Sequence, residues 1–256
     1  MKNKTCIIYC NCGAGIISEK KQELISGKIK KLNADVFELH DLCAFSVNEQ
    51  DFLNSLDRDY DKTLIVACYP RAIKNMLEQN KIKINNYEVL NFRENPVETI
   101  DENLQEKTKE NTGELNYQVK NSSLKVPAWY PVIDESKCTL CGQCARFCLF
   151  GVYEYNKKSL EVVSPLSCKN NCPACGRTCP ASAIIFPRLP ENSVLSGAEP
   201  SAEAVKKPAG NSGLFVMLNE RNNARKNIFK QGFIKQAEKE RDKALAELKK
   251  DLNKKK

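Results

Sequence analysis

From Thr5 to Phe92 short apolar runs alternate with longer amphipathic ones. Thr5 to Cys10 predicts a strand, and Ser18 to Leu32 a helix, with Leu24, Ile25, Ile29 and Leu32 at helical spacing. Ala34 to Leu39 predicts a second strand, Asn48 to Leu56 a short helix, and Thr63 to Ala67 a buried strand. Pro70 to Gln79 predicts a helix with proline preset in its first turn, and Tyr87 to Phe92 a fourth strand. Strands separated by helices pair in parallel through right-handed crossovers, so residues 1–100 are expected to form a small parallel α/β domain.

Asp101 to Ser123 is polar and charged with almost no apolar periodicity, which predicts a linker over 101–125. Residues 126–190 are expected to form a second domain, where Pro131 to Asp134 pairs with Val152 to Tyr155, and Leu160 to Val163 with Ala183 to Phe186. Each half is then a strand, a cysteine loop and a short helix. Ile133, Phe147, Val152, Val163, Ile184 and Ile185 are expected to line its interior, and Trp129 and Tyr130 to pack in the core. Glu191 to Gly213, rich in Ser, Ala, Pro, Gly and Asn, predicts a flexible linker over 191–213. Residues 214–256 turn helical, with Phe229, Phe233, Ala237, Ala244, Leu245, Leu248 and Leu252 near helical spacing. Such a charged amphipathic tail either stays solvated or docks on a partner.

Thirteen cysteines change the picture. Eight lie between Cys138 and Pro180: Cys138, Cys141, Cys144 and Cys148 with two, two and three residues between them, then Cys168, Cys172, Cys175 and Cys179 with three, two and three. A cysteine run at two-residue intervals wraps a cubic iron-sulfur cluster, whose last iron takes its thiolate from elsewhere. Zinc prefers two well-separated pairs, and a disulfide framework needs an oxidising compartment, so both fit less well. The stretch resembles the bacterial dicluster ferredoxins, including Pro180 after the last cysteine. That resemblance implies two 4Fe-4S clusters, the last cysteine of each run crossing to the other. Cys138, Cys141, Cys144 and Cys179 would hold one, and Cys168, Cys172, Cys175 and Cys148 the second. The chain departs from the family at Leu149, where a proline would stand, and in the extra residue between Cys168 and Cys172.

Upstream, Cys10 and Cys12 follow the first predicted strand, Cys43 follows the second, and Cys68 closes the third. The carboxyl ends of parallel strands share one edge, where such sheets bind ligands, so the four thiols are expected to converge on a third cluster. Cys6, inside the strand, reads as core. The motifs Y-C-N-C-G at Tyr9 to Gly13, L-C at Leu42 to Cys43 and V-A-C-Y-P-R at Val66 to Arg71 resemble the N-terminal iron-sulfur domain of the large flavin-containing subunit of heterodisulfide reductase. This implies Cys10, Cys12, Cys43 and Cys68 as ligands of a 4Fe-4S cluster. Tyr69 stands where that family has serine, and its following flavin domain has no counterpart, so a flavoprotein on a separate chain is the implied partner. Gly13 and Gly15 fall short of a phosphate loop, since Ser18 replaces the third glycine. His40, the sole histidine, reads as an exposed or hydrogen-bonded loop residue.

The fold class expected is thus an α/β N-terminal domain with a small parallel sheet, an α+β ferredoxin-like dicluster domain and a C-terminal charged helix. The net charge is +8, and residues 220–256 hold thirteen Lys and Arg against six Asp and Glu, so nearly all the excess is in the tail. No signal peptide opens the chain and no run of about eighteen apolar residues occurs, so no membrane span is expected and the cytoplasm, where thiols stay reduced, is the expected compartment. No triad, framed carboxylate pair or nucleotide fingerprint points to catalysis by this chain alone. The expected function is electron transfer through two ferredoxin-type clusters and a third N-terminal one to a redox partner protein, the chain being a carrier or an oxidoreductase subunit. Two alternatives stay open: a heterodisulfide-reductase-like subunit acting directly on a disulfide, and a cluster-stapled module whose basic tail binds nucleic acid, the latter not favoured.

Overall fold

The computed structural model describes residues 4–111, 116–200 and 231–253. β1 (Thr5–Asn11), β2 (Asp35–His40), β3 (Lys62–Ala67), β4 (Tyr87–Asn91) and β5 (Asn116–Asn121) form one parallel sheet in the order β4-β3-β1-β2-β5. Its central strands must be apolar on both faces because helices cover both, and Ile7, Ile8, Leu64, Ile65 and Val66 are fully buried. α1 (Glu19–Ile29) follows β1, its start fixed by the Ser18 side chain accepting from the Lys21 amide. α2 (Leu42–Asn48) and α3 (Gln50–Asp59) lead to β3, α4 (Pro70–Gln79) to β4, and α5 (Val97–Thr108) to β5. Right-handed crossovers in this strand order put α1 and α5 on one face and α2, α3 and α4 on the other. Consistent with this, α1 packs beside α5, and α2 beside α3 and α4.

The expected linker over 101–125 is part of this sheet. Most of α5 lies in it, with Ile100, Asp101, Leu104 and Thr108 turned inward and Asp101 paired to Lys28 at 2.9 Å. β5 then joins β2 as an edge strand, and its sequence N-Y-Q-V-K-N is polar because one side has no neighbour. α2 was hidden for the opposite reason: Leu42, Cys43, Ala44, Phe45 and Ser46 are all buried, and a short helix buried all round has no apolar period.

In the second unit β6 (Val132–Ile133) pairs antiparallel with β9 (Ile184–Ile185), and β7 (Tyr153–Tyr155) with β8 (Leu160–Val162). This corrects the expected pairing: the first strand takes the last, and the middle two form a hairpin. Closing a short turn costs little chain entropy, and the Asn156 side chain accepts from the Lys158 and Ser159 amides to fix it. α6 (Gln143–Phe147) and α7 (Ala174–Arg177) each lie in a cysteine run. Ile133, Val152, Ile184 and Ile185 are buried as expected, whereas Val163 is 49% exposed.

Residues 191–200, expected to begin a flexible linker, are built into the structure; 201–213 lie outside the described residues. Ser193 and Ser196 cap each other in a short 3-10 turn, and Gly197, at φ +116°, brings the backbone so close that a Cβ would lie 2.6 Å from Ala72. The last helix, α8 (Gln231–Asn253), lies on α7. Ala237 and Ala244 are buried with Cys172 and Ala174, against Phe147 and Phe150. Glu240 pairs with Arg177 at 3.2 Å, and Glu247 with Lys169 at 3.5 Å. The helix therefore docks on its own chain through two alanines and two glutamates on one face, leaving Lys235, Lys239, Lys243, Lys249 and Lys250 exposed. Phe229 and the rest of 214–230 lie outside the described residues, as do the side chains of Phe233, Leu248 and Leu252.

Arg71, at the start of α4, joins the two units. Its Nε donates to Asp134 Oδ2 at 2.7 Å, Nη1 to the Val194 and Ala198 carbonyls at 3.0 and 3.3 Å, and Nη2 to the Ser182 carbonyl at 2.7 Å. The side chains of Arg71 and Asp134 are 3% and 4% exposed. Burial pushes the Asp134 carboxyl up, but hydrogen bonds from Ser136 and Arg71 outweigh it and hold the group below the usual range. The pair therefore contributes fully above about pH 4 and is lost as pH falls through the lower folded value. Arg71→Ala, which strands Asp134 in the interface, is expected to cost about 3–5 kcal/mol in urea unfolding. A loss below about 1 kcal/mol, the range of an exposed pair, would contradict this role.

Candidate metal centres

The carboxyl edge of the sheet gathers four thiols. Cys10 ends β1 with Cys12 just beyond it, Cys43 sits in the first turn of α2 and Cys68 follows β3, and they are 6%, 6%, 6% and 8% exposed. β1 and β3 feed connections that leave in opposite directions, so this is the switch point where open parallel sheets bind ligands. The Cys10 and Cys12 thiols hydrogen-bond to each other, and Cys43 and Cys68 lie close enough to feel the charge of Cys12. The shared hydrogen bond raises Cys10 well above the ordinary thiol range and lowers Cys12 to about 6, with Arg188 and Arg93 adding to the lowering. Burial pushes Cys43 up, and Cys68 up to about 12. Cys6 stands apart as core: fully buried in β1, its sulfur meets Thr63 Oγ1 at 3.5 Å.

In the second unit, Cys138, Cys141, Cys144 and Cys179 line one cavity with Gly142, Leu160, Ala183 and Ile184. Burial raises Cys144 to about 12, and the neighbouring Cys179, Cys141 and Cys138 add to it. The other four also meet. Cys148 and Cys172 act on Cys168, while Cys168 and Cys148 act on Cys175, both targets being pushed up first by burial. The extra residue between Cys168 and Cys172 is taken up by a turn, in which Asn171 adopts φ +59° and the Cys172 amide donates to the Lys169 carbonyl at 3.1 Å.

Three features suit these sites to anionic sulfur. All thirteen cysteines are free thiols. Backbone amides point at their sulfurs: Leu42 at Cys10, 3.5 Å, and Ala183 at Cys179, 3.3 Å, with Ala14 serving Cys12, Ala145 serving Cys144 and Ala174 serving Cys172. Left-handed backbone at Leu140, Gly142 and Ser182 bends the loops of the first set, the kind of turn that aims successive amides inward. Among the described residues, no three His, Cys, Asp or Glu side chains close on a single-ion site. Raised thiols shed their protons only when a cation takes their place, which is how metal binding reverses the effect of burial.

The sequence reading missed the residues that meet these cysteines from the side. Tyr153 and Tyr155 alternate with Glu154 along β7 and so share one face. The Tyr153 hydroxyl is 3.1 Å from Cys175 Sγ, and the Tyr155 hydroxyl donates to the Leu140 carbonyl at 2.7 Å. The period-two pattern Y-E-Y was the available signal. His40 is half-exposed, its Nε2 3.3 Å from Glu38 Oε1. Beside Cys138 opens a groove of about 750 Å³, lined by Glu78, Glu135, Leu140, Lys158, Glu161 and Val163.

Residues 130–153, which contain Cys138, Cys141, Cys144 and Cys148, match the family model of a 4Fe-4S binding domain. Over 75 residues the chain is 40% identical to an uncharacterized ferredoxin of Methanocaldococcus jannaschii, an overlap of 29% of this chain and 51% of that protein. The chain thus spans about half the length of the curated relative it matches. No solved structure matches. The chain carries a ferredoxin-type, 4Fe-4S-binding segment, and none of its helices among the described residues is long and apolar enough to cross a membrane.

Gly142 adopts φ +68°, and a Cβ there would lie 2.3 Å from the Tyr155 ring. Gly142→Ala must displace that ring from the Leu140 carbonyl and is expected to cost roughly 1–3 kcal/mol, seen as a lower thermal midpoint. An unchanged midpoint would contradict the packing.

Proposed function

We propose that this chain is an electron-transfer protein holding three 4Fe-4S clusters. One would be held by Cys138, Cys141, Cys144 and Cys179, a second by Cys148, Cys168, Cys172 and Cys175, and a third by Cys10, Cys12, Cys43 and Cys68. The observation that carries this reading is the gathering of twelve of the thirteen cysteines into three sets of four, served by backbone amides. Bound there, such clusters accept and release single electrons at potentials set by charge, hydrogen bonds and exposure.

The chain's own residues supply the surroundings. Amides stabilise negative sulfur, Arg93 and Arg188 bring positive charge to Cys12, and Tyr153 offers a hydroxyl to Cys175. Ile133, Ile184 and Phe186 keep water from the second unit's interior. The N-terminal domain extends through β5, and the ferredoxin-like domain through Ala198.

The partner is a redox protein, with a flavoprotein on a separate chain implied by the heterodisulfide-reductase resemblance. Its docking surface includes the groove beside Cys138, where the least enclosed set nears the surface. Burial of all four N-terminal cysteines favours relay over direct attack on a disulfide, which would need sulfur within reach of substrate. Docking of α8 through its acidic side accounts for part of the tail without nucleic acid. The proposed compartment is the cytoplasm.

Anaerobic reductive titration followed by EPR is expected to show reversible one-electron reductions; their absence would sink the carrier reading. Tyr153→Phe removes a donor to Cys175 and is expected to lower one midpoint by tens of millivolts, about 59 mV for each tenfold change in a one-electron equilibrium. All midpoints unchanged would show that the hydroxyl does not tune that site.

A further inference from the structure

Between the N-terminal thiols and the second unit lies a contact that neither the fold nor the ligand sets explain. Trp129 and Tyr130 are adjacent in sequence and 3% and 2% exposed. The Tyr130 hydroxyl donates to the Cys43 carbonyl at 3.1 Å, and it also meets Ser46 Oγ at 2.5 Å. The Trp129 indole N–H donates to the Cys172 carbonyl at 3.4 Å. One dipeptide thus bonds to a cysteine of the N-terminal set and to a cysteine of the set containing Cys148, Cys168, Cys172 and Cys175. Cys43, Trp129, Tyr130 and Phe186 line one dry cleft with no room for water, and Trp129 stacks on Phe186 with ring centroids 5.3 Å apart. Cys168 packs against both the N-terminal core and the core of the second unit. Among the described residues, neither Trp129 nor Tyr130 hydrogen-bonds to a cysteine of the Cys138, Cys141, Cys144 and Cys179 set. That set instead adjoins Cys175 through Cys144, both buried in one core.

We propose that Trp129 and Tyr130 form the bridge by which the N-terminal site exchanges electrons with the Cys148, Cys168, Cys172 and Cys175 site, which makes the latter the middle of the relay. The proposal rests on the three-cluster reading. The step is the movement of one electron from the reduced cluster on one side to the oxidised cluster on the other. No bond is made or broken, no proton moves, and neither aromatic ring is itself oxidised. The bridge acts by holding a continuous bonded and packed path where water or a gap would otherwise intervene. Trp129 and Tyr130 are positioning residues in this sense, and their hydrogen bonds to Cys172 and Cys43 set where the path begins and ends.

The test is the rate at which electrons equilibrate among clusters after a photoreductant pulse, read spectroscopically on the full-length, iron-loaded protein. Trp129→Phe keeps an aromatic ring but deletes the donor to Cys172. Tyr130→Phe keeps the ring and deletes only the hydroxyl, and serves if the first variant loses iron. Exchange between the N-terminal site and the others is expected to slow several-fold, while iron content and midpoint potentials stay those of the parent. Parent-like exchange rates in both variants would overturn the bridge while leaving three clusters in place. A parent protein with ferredoxin-type signals alone, and no N-terminal one, would instead overturn the three-cluster reading and the bridge with it.

Discussion

A guanidinium shut away from water must find every partner within the protein, and Arg71 does so by reaching across two units of the fold. It leaves the sheet's carboxyl edge just after Cys68 and Pro70, and ends on Asp134 and three carbonyls of the second unit. Breaking such a pair strands a charge in a dry interface, so the two units keep a fixed relation. Much else depends on that relation. It presses residues 193–198 onto α4, seats Trp129 and Tyr130 between two cysteine sets, and puts Arg93 and Arg188 where their charge reaches Cys12.

Electrostatics then decides what the thiols can be. Buried thiols pack easily as neutral groups, whereas thiolates in the same place need compensation. Amide donors, the arginines near Cys12 and the Tyr153 hydroxyl supply part of it, and the positive charge of bound iron would supply the rest. The folded chain alone leaves most of these sulfurs raised. Metal bound at the proposed sites would displace those protons and so share in the stability of the fold. The acidic face of α8 adds negative charge near Cys172, which makes the tail part of that site's environment.

The sequence exposed the chemistry more readily than the architecture around it. Cysteine spacing is local, so the ferredoxin-type runs could be read from residue counts alone, and the strand-end positions of Cys10, Cys43 and Cys68 followed from apolar runs. α5 and β5 could not be read that way, because β5 is a polar edge strand and α5 turns only Ile100, Asp101, Leu104 and Thr108 inward, two of them polar. The hairpin of β7 and β8 replaced the expected pairing since chain closure favours neighbours. Arg71 lay in a motif already singled out, yet its role depends on Asp134, far along the chain. Tyr153 and Trp129 showed only as strand and core residues, because a side chain's contact with a distant cysteine leaves no period in the sequence.

If twelve cysteines hold three clusters, as proposed, the metal content of the protein shows it most directly. Iron and acid-labile sulfide, measured per chain on anaerobically reconstituted full-length protein, should each come to about twelve. About eight of each would contradict the account, leaving the thiols at the sheet edge as core.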